Sequence, residues 1–324
     1  MPSPQGTVVV LGTGGTIAGR AADAGDVIGY RAGEVAVSAL LSGVPALASV
    51  PLEAQQVAQV DSKDMRPALW RVLAERAQAH LARPDVAGVV VTHGTDTLEE
   101  TAWLLHRVLA PVDKPLVLTA AMRPATALMA DGPQNLLDAV TLARTSGAHG
   151  VLAVLAGAVH EAGTLRKRHT LHLDAFDGGD AGPLARLDAS VLQRLRPWPV
   201  PSAAPLGLDC LPAEDGDWPW VAVLANHAGA DGREVQALVG AGVRGLVVAG
   251  TGNGTLSGPL QQALAQAKQA GVLVRRVSRC GDGPVRGGDP ELAALAQLSP
   301  WQARVELQLA LLAGVEPVDG GVPT

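Results

Sequence analysis

The chain of 324 residues has very little aromatic side chain: one phenylalanine, one tyrosine and six tryptophans, 2% in all. Any core must therefore be built from Val, Leu and Ala, and the 48% of hydrophobic residues makes a large one possible. Cysteine is nearly absent. Cys210 and Cys280 lie seventy residues apart with no metal-ligand spacing, which excludes a disulfide scaffold and a zinc site of the usual kind. Excess positive charge is also missing: 25 Lys and Arg stand against 31 Asp and Glu, a net charge of −6. That balance argues against a nucleic-acid-binding face. No apolar run approaches the roughly 20 residues needed to cross a bilayer. The first cation is Arg20, behind the first apolar stretch, so a secretory signal is not expected. The expectation is a cytoplasmic protein with no nucleic-acid or membrane partner.

What is present is an alternation. Short β-branched runs at residues 8–11, 88–92, 115–119 and 150–156 are separated by stretches with helical spacing at 65–81, 97–109 and 131–143. The second of these helices opens on Thr97 with Glu100 three residues later, a capping-box pattern. Continuous apolar strands between amphipathic helices predict βαβ units around a parallel sheet. From 194 to 218 the periodicity is lost among prolines, which predicts an interdomain linker. Alternation then resumes, with strands at 220–224, 245–249 and 272–277 and helices near 234–239, 260–269 and 300–312. The sequence thus predicts two α/β domains, 1–193 and 219–324, the second smaller. No internal repeat is evident.

Two Gly/Thr-rich segments follow predicted strands: VLGTGGTIA at 10–18 and GVVVTHGTDTL at 88–98. In open parallel sheets, ligands lie beyond the carboxyl ends of the strands. The first segment is superficially a dinucleotide fingerprint. The small-residue loop at 20–29 that follows it is not a helix, and no strand ends in an acid at the required distance.

Together the segments resemble the two signature motifs of the bacterial-type L-asparaginase family. Further matches occur in order: Tyr30, DSKDM at 61–65, AMRP at 121–124, ADGP at 130–133 with Asn135 and Leu136, the surroundings of Lys167, and GNG at 252–254. The resemblance spans nearly the whole chain. It implies a flavodoxin-like parallel sheet in the larger domain and a cofactor-free, metal-free hydrolysis of L-asparagine to L-aspartate and ammonia.

By resemblance, Thr16 is the nucleophile, and Tyr30 belongs to a lid that polarises its hydroxyl. Thr95, Lys167 and Asp96 form a relay that activates the second threonine or a water, and the Thr95 amide serves the oxyanion. A threonine hydroxyl attacks poorly unless a neighbour takes its proton, and a desolvated lysine can act as a base where arginine cannot. Lysine is scarce here, at positions 63, 114, 167 and 268 only. Ser62 matches the anchor of the substrate α-carboxylate, with Asp96 on the α-ammonium. Asn253 or Thr255 would reach a neighbouring subunit's site, which implies a homo-oligomer, dimer or tetramer.

Other functions weighed are substantial glutaminase activity, an asparagine or aspartate sensor without turnover, and the amidase subunit of a tRNA-dependent amidotransferase. The last carries an extra N-terminal domain, whereas the first strand here begins by residue 8. His93 is expected to be a packing residue. His160, His169 and His172 with Glu161 share no clean face for a metal.

Two positions depart from the family pattern. Lys63 stands where periplasmic members place a glutamine, so it is expected to point away or pair with an acid. The segment 280–297, which should supply a partner-subunit acid, is short, and Asp282, Asp289 and Glu291 all remain open for that role.

Overall fold

A computed structural model describes residues 6–26, 28–109, 113–200, 203–287 and 292–319. The chain divides into two compact units, Met1–Leu208 and Asp209–Thr324. The division falls inside the Pro-rich stretch, and much of that stretch is packed. Trp198 belongs to the hydrophobic core of the first unit, the Leu206 N–H donates to the Arg107 carbonyl, and Leu211 and Trp218 are buried. Prolines remove backbone donors there without removing side chains that can pack.

The first unit is organised on a sheet whose described strands are β1 (Thr7–Gly14), β2 (Leu52–Val60), β3 (Val86–Thr92), β4 (Pro115–Thr119), β5 (Gly150–Leu155), β6 (Ala158–Glu161), β9 (Ala185–Asp188) and β10 (Val191–Arg194), with a separate ribbon of β7 (Arg166–Lys167) and β8 (Phe176–Asp177). The order across the large sheet is β10-β9-β6-β5-β4-β3-β1-β2. From β5 to β2 every pairing is parallel, and β6, β9 and β10 extend the sheet antiparallel. The parallel part reads 2-1-3-4-5, the flavodoxin-like arrangement, whose strand order reverses between β1 and β3.

Val8 to Leu11, Val89 to Val91 and Leu116 to Leu118 are wholly buried, because both faces of these central strands are covered. The helices are α1 (Val37–Ser42), α2 (Pro67–Leu81), α3 (Leu98–Val108) and α4 (Gly132–Ala143). In α3 the ends suit the helix dipole, with Glu99 and Glu100 in the first turn and Arg107 in the last. The Thr97–Glu100 pattern does not form the expected box. Thr97 makes no side-chain cap; its hydroxyl donates instead to the Ser62 carbonyl at 2.8 Å.

The second unit holds the parallel sheet β11 (Val221–Ala225), β12 (Gly245–Gly250) and β13 (Leu273–Ser278). Around it lie α5 (Arg233–Gly240), α6 (Gly258–Gln269) and α7 (Pro300–Ala313). Here α7 does open on a complete capping box, with Ser299 and Gln302 bonded reciprocally.

Candidate active site

Thr16 and Thr95 lie on the loops that leave β1 and β3, neighbouring strands paired in register from Val8 with Gly88 to Gly12 with Thr92. These are the carboxyl ends at the reversal of strand order, the place where such sheets bind ligands. Gly15, in the left-handed region at φ 79°, lets the first loop press backbone to backbone on Gly94 of the second. Thr16 opens a short 3-10 turn, Thr16–Ala18, and is buried.

The Thr16 hydroxyl lies 2.6 Å from the Tyr30 hydroxyl. Tyr30 ends the loop that follows the turn, and Gly19 leaves room for its ring: a β-carbon there would come within 2.8 Å of the ring edge. The loop is closed at its base by mutual backbone bonds of Arg20 and Arg31, both 2.9 Å. It is backed by segment 125–128, where Ala125 bonds Gly19, Leu128 bonds Ala24, and the Thr126 hydroxyl takes the Ala21 N–H at 2.9 Å.

On the second loop, Lys167 donates from Nζ to Thr95 Oγ1 at 2.9 Å and to Asp96 Oδ1 at 2.6 Å. The lysine side chain is 19% exposed and the aspartate 54%, so the amine is mostly withdrawn from water while the carboxylate still faces it. Among the described residues no acceptor takes the buried Thr95 amide proton. That N–H is therefore available to a ligand bound beyond the strand ends.

Ser62 is 2% exposed. Its hydroxyl accepts the Asp96 N–H at 3.1 Å, which ties the 61–65 turn to the second loop and leaves the hydroxyl proton to donate. Lys63 turns to acids, as expected, with Nζ 2.6 Å from Asp61 and 3.1 Å from Asp64. Those carboxylates, Asp61 foremost, hold its pKa above the ordinary lysine value.

His93 is completely buried, and burial pushes its pKa down to about 4. Its Nδ1 lies 2.7 Å from the Gly94 carbonyl, which can only accept, so Nδ1 carries the proton. Nε2 then accepts from Thr101, whose oxygen takes the Trp70 indole N–H. Both nitrogens are thereby used in packing.

Asn253 and Thr255 belong to the second unit. The Asn253 carboxamide bonds the Arg286 backbone in both directions, at 2.6 and 2.7 Å, and Thr255 bonds Thr251. Asp282 is exposed, whereas Asp289 and Glu291 lie outside the described residues. His169 and His172 stack on each other, and His160 is buried with neither ring nitrogen partnered. Among the described residues no group of three His, Cys, Asp or Glu could hold a metal, and no helix is long and apolar enough to cross a membrane. The sequence reading did not single out Glu99 or Thr126, whose side-chain oxygens accept the backbone N–H groups of Lys167 and Ala21, far away along the chain.

The fold and these hydroxyl groups define an α/β protein with a hydroxyl-bearing candidate site at the reversal of strand order, and sequence comparison makes the class specific. Residues 7–198 match the family described as Asparaginase, N-terminal, and residues 220–319 match the Glutaminase/Asparaginase C-terminal domain. The chain belongs to the asparaginase family. It is 36% identical over 321 residues to L-asparaginase 2 of Escherichia coli, covering 96% of this chain and 90% of that protein. It is 32% identical to the glutaminase-asparaginase of Pseudomonas fluorescens, over 94% of this chain and 86% of that protein. The crystal structure of a probable cytoplasmic L-asparaginase from Campylobacter jejuni superposes with a TM-score of 0.86 at 33% identity, covering 94% of this chain and 95% of that one.

Proposed function

We propose that the protein is an L-asparaginase that hydrolyses the side-chain amide of L-asparagine through Thr16. The observation that carries this reading is the pair of hydroxyl groups on abutting loops, each with its own proton partner: Thr16 with Tyr30, Thr95 with Lys167 and Asp96. In the first half-reaction the Thr16 oxygen attacks the amide carbon while its proton passes to Tyr30 and on to the leaving nitrogen. Ammonia departs and an ester on Thr16 remains. In the second, Lys167, paired with Asp96, draws a proton through Thr95 from a water whose oxygen bonds to the ester carbon; the Thr16 oxygen leaves and takes up that proton, and aspartate is freed. A positioned base contributes about 10²–10⁴-fold and an oxyanion donor about 10²–10³-fold. Both are therefore required, and the unpartnered Thr95 amide is the donor.

Ser62 holds the α-carboxylate and Asp96 the α-ammonium. Asn253 and Thr255 act from the second unit toward the site of another copy, in a dimer or tetramer, and the protein works in the cytoplasm, as the Campylobacter relative's name describes that protein. Light scattering on the purified chain tests the assembly.

The decisive experiment is ammonia release from asparagine and glutamine, side by side, by wild type and Thr16→Ala. Release from asparagine that falls by at least about 10³-fold in the variant is expected. Undiminished release refutes the nucleophile, and tight aspartate binding without turnover in the wild type refutes the enzyme. A glutamine rate close to the asparagine rate would extend the activity to a glutaminase, since one methylene is worth only about 1–3 kcal/mol in such pockets.

A further inference from the structure

Lys167 carries the second half of the chemistry, yet it sits on a ribbon strand only two residues long. Its one sheet partner is Phe176 of β8. Such a ribbon is a weak platform for a side-chain nitrogen that must meet Thr95 and Asp96 within 3 Å. The structure supplies a second attachment. The Glu99 carboxylate, 6% exposed, accepts the Lys167 main-chain N–H at Oε2 over 3.2 Å. Glu99 is the second residue of α3, three positions after Asp96 and four after Thr95.

Lys167 is thus fastened at both ends to one short stretch of chain, its main chain to Glu99 in the first turn of α3 and its Nζ to Thr95 and Asp96 in the loop just before that helix. The buried carboxylate is tolerated at that place because a first helical turn favours negative charge and because it is hydrogen-bonded.

We infer that Glu99 is a positioning residue for Lys167, acting by reach rather than by charge. The inference rests on the proposed role of Lys167. What Lys167 needs from Glu99 is an oxygen at the right distance. Glutamine keeps that oxygen and loses the charge. Aspartate keeps the charge and withdraws the oxygen by about 1.5 Å, beyond hydrogen-bond range.

The test is kcat, KM and the pH profile of ammonia release for wild type, Lys167→Met, Glu99→Gln and Glu99→Asp, with a thermal melt of each. Glu99→Gln is expected within about threefold of wild-type kcat, with an unmoved profile. Glu99→Asp is expected folded, with kcat lower on the order of 10- to 100-fold and KM within about twofold. Aspartate at wild-type rate, or glutamine as inactive as Lys167→Met, overturns the inference. If Glu99→Asp melts below the assay temperature, Glu99→Gln decides alone: an unmoved alkaline limb supports positioning, and a shifted one overturns it in favour of charge. Wild-type kcat in Lys167→Met is a separate failure, that of the lysine's role, and removes the inference with it.

Discussion

Gly15 and Gly94 meet with no side chain between them. A β-carbon on Gly15 would lie 2.4 Å from both the Cα and the amide nitrogen of Gly94, distances no atom pair of this kind tolerates. One on Gly94 would lie 2.5 Å from the Ser62 hydroxyl. Two loop backbones and the Ser62 side chain therefore converge on a spot with no room for a further atom.

Replacing Gly15 by alanine is expected to drive the two loops apart. Its φ of 79° adds strain of about 1–3 kcal/mol. A displacement near 1 Å costs on the order of 10²-fold in rate. The expected outcome is a folded variant with kcat reduced by about that factor, read from ammonia release and a thermal melt.

Tyr30→Phe removes only the oxygen that lies 2.6 Å from Thr16. Expected is a fall in kcat of about 10²–10⁴-fold with a much smaller change in KM, because the ring still packs over Gly19. Steady-state kinetics at saturating asparagine check it.

Acid is expected to destabilise the fold in a definite window. His93 and His160 are buried and His106 is partly so, and loss of water around each ring lowers its pKa from 6.5 to about 4. The unfolded chain therefore binds protons that the folded one refuses between about pH 6.5 and pH 4, so stability is full above that range and falls as pH drops through it. Neither ring nitrogen of His160 is hydrogen-bonded, whereas both nitrogens of His93 are. His160→Leu should flatten the melting temperature against pH between those limits, and a slope as steep as wild type would contradict this.

Asp61 and Asp64 occupy the Lys63 ammonium beside the proposed carboxylate anchor. Neutralising both as asparagines frees a cation that repels the substrate's α-ammonium. KM for asparagine is expected to rise about fivefold at low salt, and the gap should close at high ionic strength, where such charges are screened. Titrating KM with salt in the double variant reads both effects.

Much of this was legible in the chain. The buried parallel strands announce themselves as unbroken Val and Leu runs, and the loops after β1 and β3 carry their glycines and hydroxyls in plain view. The edges of the sheet were not legible. β2 reads Leu-Glu-Ala-Gln-Gln-Val-Ala-Gln-Val and is half exposed, so no apolar run marks it, and β9 and β10 are four residues each. Capping was misjudged for a physical reason. Thr97 has the right neighbours for a box, but a carbonyl at Ser62 competes for its hydroxyl. Ser299 has no such rival and forms one. Glu99 was invisible as a site residue because its role depends on a backbone amide 68 positions away.

The loop that bears Tyr30 hangs from a clasp of two hydrogen bonds between Arg20 and Arg31, with a few more to the segment behind it. These bonds keep the phenol 2.6 Å from the Thr16 hydroxyl, so a substitution at the clasp or in the backing segment is felt at an alcohol it never touches.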